Sequence, residues 1–167
     1  MATENNENIK KPKIIVFDLD YTLWPFWIDT HVTPPFSRKN GSIVDAQGKK
    51  IKYYEQVPEI LENLAKEGFE IGIASRTSEI KGAYQLLKLL NWDKYIKYTE
   101  IYPGCKITHF NKIKKASGVD FKDMIFFDDE RRNIDDLTKV GVLSIYVQNG
   151  LNKNEIKNGL EKFKSRQ

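Results

Sequence analysis

Residues 13–24 read Lys-Ile-Ile-Val-Phe-Asp-Leu-Asp-Tyr-Thr-Leu-Trp, and this stretch limits what the chain can become. Four apolar residues, Ile14 to Phe17, stop abruptly at Asp18-Leu19-Asp20. A short apolar run without polar alternation is the pattern of a parallel strand covered on both faces. Ligands in open α/β sheets bind just past the carboxyl ends of such strands. Two carboxylates placed there, two residues apart, are costly to bury unless a cation or a proton offsets them. A hard divalent metal held by oxygen ligands meets that need. The stretch by itself points to a metal-assisted site at the edge of a sheet.

The rest of the chain repeats the pattern. Phe69 to Ala74 reads as a second strand ending in Ser75, and residues 98–102 as a third, short one. Met124 to Phe127 is a fourth, ending in Asp128-Asp129-Glu130, and Val142 to Val147 a fifth. Helical periodicity lies between them. One helix begins at Val57-Pro58, with Ile60, Leu61 and Leu64 on one face, and stops at Gly68. The next is capped by Ser78, a third runs from Lys106 to about Ala116, and a fourth carries Ile134, Leu137 and Val140. A last one uses Ile156, Leu160 and Phe163. Strand and helix in alternation predict a three-layer, Rossmann-like α/β fold: a parallel sheet with helices on both faces.

One stretch does not fit that rhythm. Residues 24–56 hold Trp24-Pro25-Phe26-Trp27, Thr33-Pro34-Pro35 and Asn40-Gly41, which break any helical period. Residues 42–45 and 50–53 read as two short strands joined by 46–49. An insertion of this length without a helix is usually functional. It is expected to be a small flap over the end of the first strand, in place of a large cap domain. The domain itself is expected to be single and to run over residues 12–167, preceded by a disordered polar tail at 1–11 that lacks the apolar core of a signal peptide.

Composition narrows the class. With 40% hydrophobic and 30% charged residues, and no apolar run long enough for a bilayer, the chain reads as globular and without a membrane partner. Cys105 is the only cysteine, so no internal disulfide can form, which fits a reducing, cytoplasmic setting. The net charge of +4 comes from 27 basic and 23 acidic residues. Its basic excess near the C-terminus is interleaved with acids and carries no nucleic-acid motif. A solvated lysine-rich surface is the reading, with no nucleic-acid partner expected and a monomer assumed.

The strand ends of a parallel sheet share one edge, so Asp18, Asp20, Ser75, Asp128 and Asp129 can converge there. Lys106, at a helix start, can join them. Acids for a metal, one hydroxyl and one cation suit a phosphate bridged to that metal, with its outer oxygens held by Ser75 and Lys106. Asp18-Leu19-Asp20-Tyr21-Thr22-Leu23, Ser75 after Ile71-Gly72-Ile73-Ala74, Lys106, and Asp128-Asp129 after Ile125-Phe126-Phe127 match four motifs in order. In these the chain resembles the haloacid dehalogenase superfamily, in its phosphatase form, over nearly its whole length.

The resemblance implies a Mg²⁺-dependent phosphomonoester hydrolase with a phosphorylated small molecule or protein as substrate, phosphotyrosine and sugar phosphates among them. Asp18 would be the nucleophile and Asp20 the general acid and base. The metal ligands would be the carboxylates of Asp18 and Asp128 and the backbone carbonyl of Asp20. Asp129 would support them through water or hydrogen bonds. Ser75, Lys106 and the backbone amides of Leu19 and Arg76 would hold the phosphoryl oxygens. Trp24, with Phe26 and Trp27, is either core or an aromatic wall for the leaving group.

Other chemistries fit less well. A cysteine phosphatase needs an arginine six positions after its nucleophile, and position 111 is Asn111. His31 and His109 are too few for a zinc site, and His109 reads as helix surface. Asp135 and Asp136 read as solvated. A phosphoacceptor signalling module would share the acids and the lysine but have no use for Asp20. A silent phosphate-binding module would not turn over. A mutase needs a larger cap than residues 24–56 can form, and dehalogenases lack an acid at the position of Asp20.

Overall fold

The computed structural model describes residues 10–166. In chain order the elements are β1 (Ile14–Phe17), β2 (Ser37–Lys39), β3 (Ser42–Val44), α1 (Val57–Lys66), β4 (Glu70–Ser75) and α2 (Ile80–Leu89). There follow β5 (Tyr98–Ile101), α3 (Lys106–Ser117), β6 (Met124–Asp128), α4 (Arg131–Lys139), β7 (Leu143–Tyr146) and α5 (Lys153–Ser165). Five strands form one parallel sheet in the order β5-β4-β1-β6-β7. This is the Rossmann-like α/β arrangement expected from the apolar runs.

β1 lies at the centre because its four side chains are apolar on both faces, and none of them touches solvent. Ile15 and Phe17 point into one core, against Val57, Leu61, Leu86 and Phe163 of α1, α2 and α5. Ile14 and Val16 point into the other, against Phe110, Ile113 and Leu137 of α3 and α4. Phe17 stacks on Phe127 with ring centroids 5.4 Å apart. Each such side chain, fully buried, contributes about 1.5–3 kcal/mol.

The chain moves outward from β1 to β4 and β5, then crosses back to β6 and β7 on the other side. That reversal opens a crevice at the carboxyl ends beside β1. The register sets what faces it. Phe17 is level with both Ile73 and Phe127, so Asp18, Ala74 and Asp128 lie side by side at the carboxyl edge of the three central strands. No described helix is long and apolar enough to cross a membrane.

Two details differ from the sequence expectation. α2 is capped by Glu79, whose side chain accepts from the Gly82 backbone N–H, and not by Ser78. In the flap, residues 42–44 are a strand, but the antiparallel partner is Ser37–Lys39 and not residues 50–53. Asn40 and Gly41, both at positive φ (51° and 78°), make the two-residue turn between them. Lys50 meets Val44 only in an isolated bridge. Of the tail expected at 1–11, only Lys10 and Lys11 are among the described residues. Their ammonium groups lie over the rings of Phe163 and Phe69, at 5.7 and 6.0 Å.

The flap is part of the core. Trp24, Phe26, Ile28, Val32 and Phe36 are buried in the same cluster as Ile15 and Phe17, and Val44 is buried as well. The Phe36 N–H donates to Gln85 Oε1 at 2.6 Å, and the Arg38 guanidinium donates to the Leu89 carbonyl, so α2 holds the hairpin down. Asp45 organises the far end. It accepts from the backbone N–H groups of Thr33 (2.9 Å), Gln47 (3.0 Å) and Lys49 (2.9 Å). Burial alone would raise its carboxyl; these three donors outweigh it and hold the group below the ordinary range.

Asp45→Ala is therefore expected to destabilise the fold by about 1–3 kcal/mol at neutral pH, read by urea denaturation. Because the folded carboxyl titrates below the unfolded one, this gap should narrow as pH falls below about 4. A gap that stays constant down to pH 2 would contradict the assignment.

Candidate active site

The site is assembled where β1, β4 and β6 end. Lys106, the first residue of α3, extends its chain beneath them and is 1% exposed. Its ammonium donates to Asp18 Oδ1 at 2.9 Å, Asp128 Oδ2 at 3.0 Å and the Ala74 carbonyl at 2.6 Å. Those are one acceptor from each of the three strand ends, which uses all three of its protons. Burial would lower the Lys106 pKa; the charges of Asp18 and Asp128 outweigh it and push it up. The group stays an ammonium.

Asp18 is nearly buried, and both its oxygens have partners. Besides Lys106, the hydroxyl of Thr22 donates to Oδ2 at 3.2 Å. Asp128 is fully buried and accepts three hydrogen bonds, which leaves Oδ1 a free lone pair: Oδ1 accepts from the Glu130 N–H at 2.8 Å, and Oδ2 from Lys106 and from Asn133 Nδ2 at 3.0 Å. Its carboxyl is pushed up by burial and by Asp18, against the pull of Lys106.

Asp129, expected to support the other acids, stands beside them. Oxygens of Asp18, Asp128 and Asp129 all lie within 4.8 Å of one another, so Asp129 belongs to the acid cluster itself. Burial and the neighbouring Asp18 raise its pKa to about 9. Three carboxylates this close cannot all be ionised beside one ammonium. A divalent cation would take the place of the protons. The donors are all oxygen and their spread suits metal–oxygen distances of about 2.0–2.6 Å, so the residues fit a hard ion such as Mg²⁺ or Ca²⁺.

Asp20 stands apart from that cluster. Tyr21, at φ 57°, bends the chain back, and the indole N–H of Trp24 donates to Asp20 Oδ1 at 2.7 Å. The Ile28 N–H adds a contact at 3.3 Å. Burial raises the Asp20 pKa to about 7, even though the Trp24 hydrogen bond lowers it, and the charge of Asp18 adds to the rise. Two carboxyl groups two residues apart thus differ in character: Asp18 is paired with an ammonium, and Asp20 is placed to hold a proton.

Ser75 ends β4 and is 2% exposed, with its hydroxyl accepting from the Thr77 N–H at 3.3 Å. Above these residues is a cleft of about 380 Å³ whose lining includes Asp18, Asp20, Ser75, Lys106, Trp27 and Arg76. Arg76 lies 4.0 Å from Glu130. The Leu19 side chain is buried, so that residue can meet a ligand only through its backbone.

Two expectations are overturned. Trp24 does not line the cleft: it is fully buried, stacked between Phe26 and Trp92, and acts on Asp20 from below. Trp27, half exposed, is the aromatic residue at the mouth. His109 is not on the helix surface but completely buried. Sequence reasoning also passed over Thr22 and Asn133. Each follows an acid by four or five residues in a turn or first helical turn, a spacing that returns the side chain to that acid.

The comparisons with known proteins agree with this geometry. Residues 10–166 match the family described as Acid Phosphatase. The chain belongs to that family. It is 53% identical over 153 residues to human magnesium-dependent phosphatase 1, which covers 91% of this chain and 87% of the relative. A HAD-like hydrolase superfamily protein of Schizosaccharomyces pombe is 43% identical over 139 residues, 76% of this chain and 81% of that protein. The fold is similar to that of a HAD-superfamily hydrolase from Ehrlichia chaffeensis (TM-score 0.67, 12% identity, 92% of this chain and 98% of that one). It is also similar to a Bacteroides fragilis phosphatase domain crystallised with Mg (TM-score 0.62, 14% identity, 93% of this chain and 41% of that one). This acid phosphatase family member is thus an enzyme of the phosphatase class on a haloacid dehalogenase fold.

Lys106→Met tests the charge balance. It leaves Asp18 and Asp128 buried without their cation, and is expected to destabilise the fold by about 3–5 kcal/mol in urea without divalent ions. Wild-type stability in that variant would show that the ammonium does not hold the three strand ends.

Proposed function

We propose that this chain hydrolyses phosphomonoesters with Mg²⁺ through an aspartyl-phosphate formed on Asp18. The observation that carries the reading is the cluster of Asp18, Asp128 and Asp129 oxygens within 4.8 Å, beside an ammonium bound to Asp18. Asp18, Asp128, Asp129 and the backbone carbonyl of Asp20 would hold the ion. When bound, Mg²⁺ supplies positive charge between the Asp18 carboxylate and the phosphate dianion, which would otherwise repel each other.

The chain's own residues do the rest. Lys106 and Thr22 hold both oxygens of Asp18, which fixes the direction of attack. An Asp18 oxygen forms a bond to phosphorus as the ester P–O bond breaks. Asp20 gives its proton to the departing oxygen, so the leaving group departs as a neutral alcohol or phenol. Asp20, now a carboxylate, takes a proton from water, and that oxygen attacks phosphorus. The acyl-phosphate bond breaks, orthophosphate is released and Asp18 is restored. Ser75 and the backbone amides of Leu19 and Arg76 are assigned to the phosphoryl oxygens, with Lys106 joining them by giving up one of its three present contacts. The proton held at Asp20 favours turnover over a long-lived phosphoacceptor, because both half-reactions use it.

For substrates we infer phosphotyrosine and sugar phosphates, including those carried on proteins. The open cleft supports esters larger than a metabolite, and Trp27 and Arg76 at its mouth suit an aromatic or polyol leaving group.

Asp18→Asn is expected to abolish phosphate release from p-nitrophenyl phosphate while circular dichroism and melting stay native. EDTA should abolish the wild-type rate and Mg²⁺ restore it. Turnover by the folded Asp18→Asn protein would refute the assignment. In a single turnover, Asp20→Asn should slow release of the alcohol from an alkyl phosphate by about 10²–10⁴-fold, and much less the release of p-nitrophenol from p-nitrophenyl phosphate, whose leaving group needs no proton. Equal losses on both esters would remove Asp20 from the acid role.

A further inference from the structure

His109 is one of two histidines, fully buried, and takes no part in the chemistry above. Both its ring nitrogens meet backbone oxygens. Nδ1 is 3.0 Å from the Cys105 carbonyl, and Nε2 is 2.9 Å from that of Ser75 and 2.7 Å from that of Tyr102. A carbonyl oxygen only accepts, and a neutral imidazole offers one N–H and one lone pair. Either neutral tautomer therefore sets a lone pair against a carbonyl oxygen at hydrogen-bond distance, inside protein where that repulsion is poorly screened. An imidazolium donates at both nitrogens and leaves none of the three contacts repulsive.

Two neighbours favour that cation. The imidazole lies flat on the ring of Tyr102, with centroids 4.3 Å apart and planes within 11°. An aromatic face attracts positive charge. The Tyr102 hydroxyl in turn donates to Glu100 Oε2 at 2.7 Å, which places a carboxylate beyond the ring. Burial and the ammonium groups of Lys112, 4.6 Å over the same ring, and of Lys106, at the start of the same helix, oppose the charge, so the three carbonyl contacts are what must hold it; Cys105 is the other titratable group nearby.

We propose that His109 is a buried imidazolium whose two protons position the phosphate-binding edge of the site. The three oxygens belong to three segments: Ser75 ends β4, Tyr102 follows β5, and Cys105 immediately precedes Lys106. Pro103 and Gly104, between the last two, line the cleft. The charged ring fastens the Ser75 backbone to the loop that delivers Lys106, and so sets the distance between those two side chains. His109 touches no substrate; it is a positioning residue. The kinetic consequence rests on Ser75 and Lys106 holding the phosphoryl group, whereas the protonation state does not.

The test is nitrogen NMR of the full chain labelled with ¹⁵N-histidine, at pH 7.5, where a free imidazole is mostly neutral. His31 is an internal reference: it is exposed, and its Nδ1 accepts from the Trp27 N–H at 2.8 Å, so that nitrogen carries no proton. The expected spectrum has one histidine with protons on both nitrogens, absent in His109→Gln. Two neutral histidines would overturn the proposal without touching the assignment of Asp18.

The second reading is KM for p-nitrophenyl phosphate. It should rise about tenfold in His109→Gln, the loss of a charged hydrogen bond, with kcat within a few fold. Unchanged KM in the folded variant would end the positioning role. If His109→Gln does not fold, His109→Asn takes its place in the kinetic comparison, and the wild-type nitrogen spectrum decides the protonation state.

Discussion

The ammonium of Lys106 is the interaction on which the rest of the molecule depends. A positive charge at the heart of a sheet edge is tolerable only because Asp18 and Asp128 flank it. Those two acids are tolerable at that depth only because the ammonium is there. None of the three could enter the fold without the others. Their meeting requires three strands to end at the same level, which the parallel register of β1, β4 and β6 provides. The apolar faces of those strands, packed against five helices, hold the level steady.

Around this triad the chain separates groups of like chemistry by their neighbours. Asp18 has an ammonium and a hydroxyl; Asp20 has an indole and a backbone N–H but no cation. The first is held by a cation and aimed, and the second is placed to keep a proton. The pair Asp128 and Asp129 is divided in the same way. One is locked into the lysine, Asn133 and a helix N-terminus, and the other faces the space shared with Asp18. Environment, more than residue type, assigns the role at each position.

Much of this was legible in the chain. Uniform apolar runs ending in acids or serine named the central strands and the edge where they meet, because burial on both faces leaves no room for polar alternation. What escaped notice depends on long-range packing. The exposed strand Ser37–Lys39 has no apolar alternation, so Asn40-Gly41 read as a breaker although it is also a hairpin signal. Trp24 could have faced in or out, and only the packing of Phe26 and Trp92 decides it. His109 lies one helical turn after Lys106 on α3; the burial of that lysine brings the histidine inward with it, a coupling that single-residue judgement misses.

The attachment of the flap to α2 has a consequence for the mouth of the cleft. Phe36 and Arg38 fasten the hairpin to the helix that follows the Ser75 strand, and the flap's aromatic residues are continuous with the main core. The wall beside the cleft is therefore built into the same packed frame as β4. Whatever enters the cleft meets a mouth whose outline is set by the packing of the whole domain.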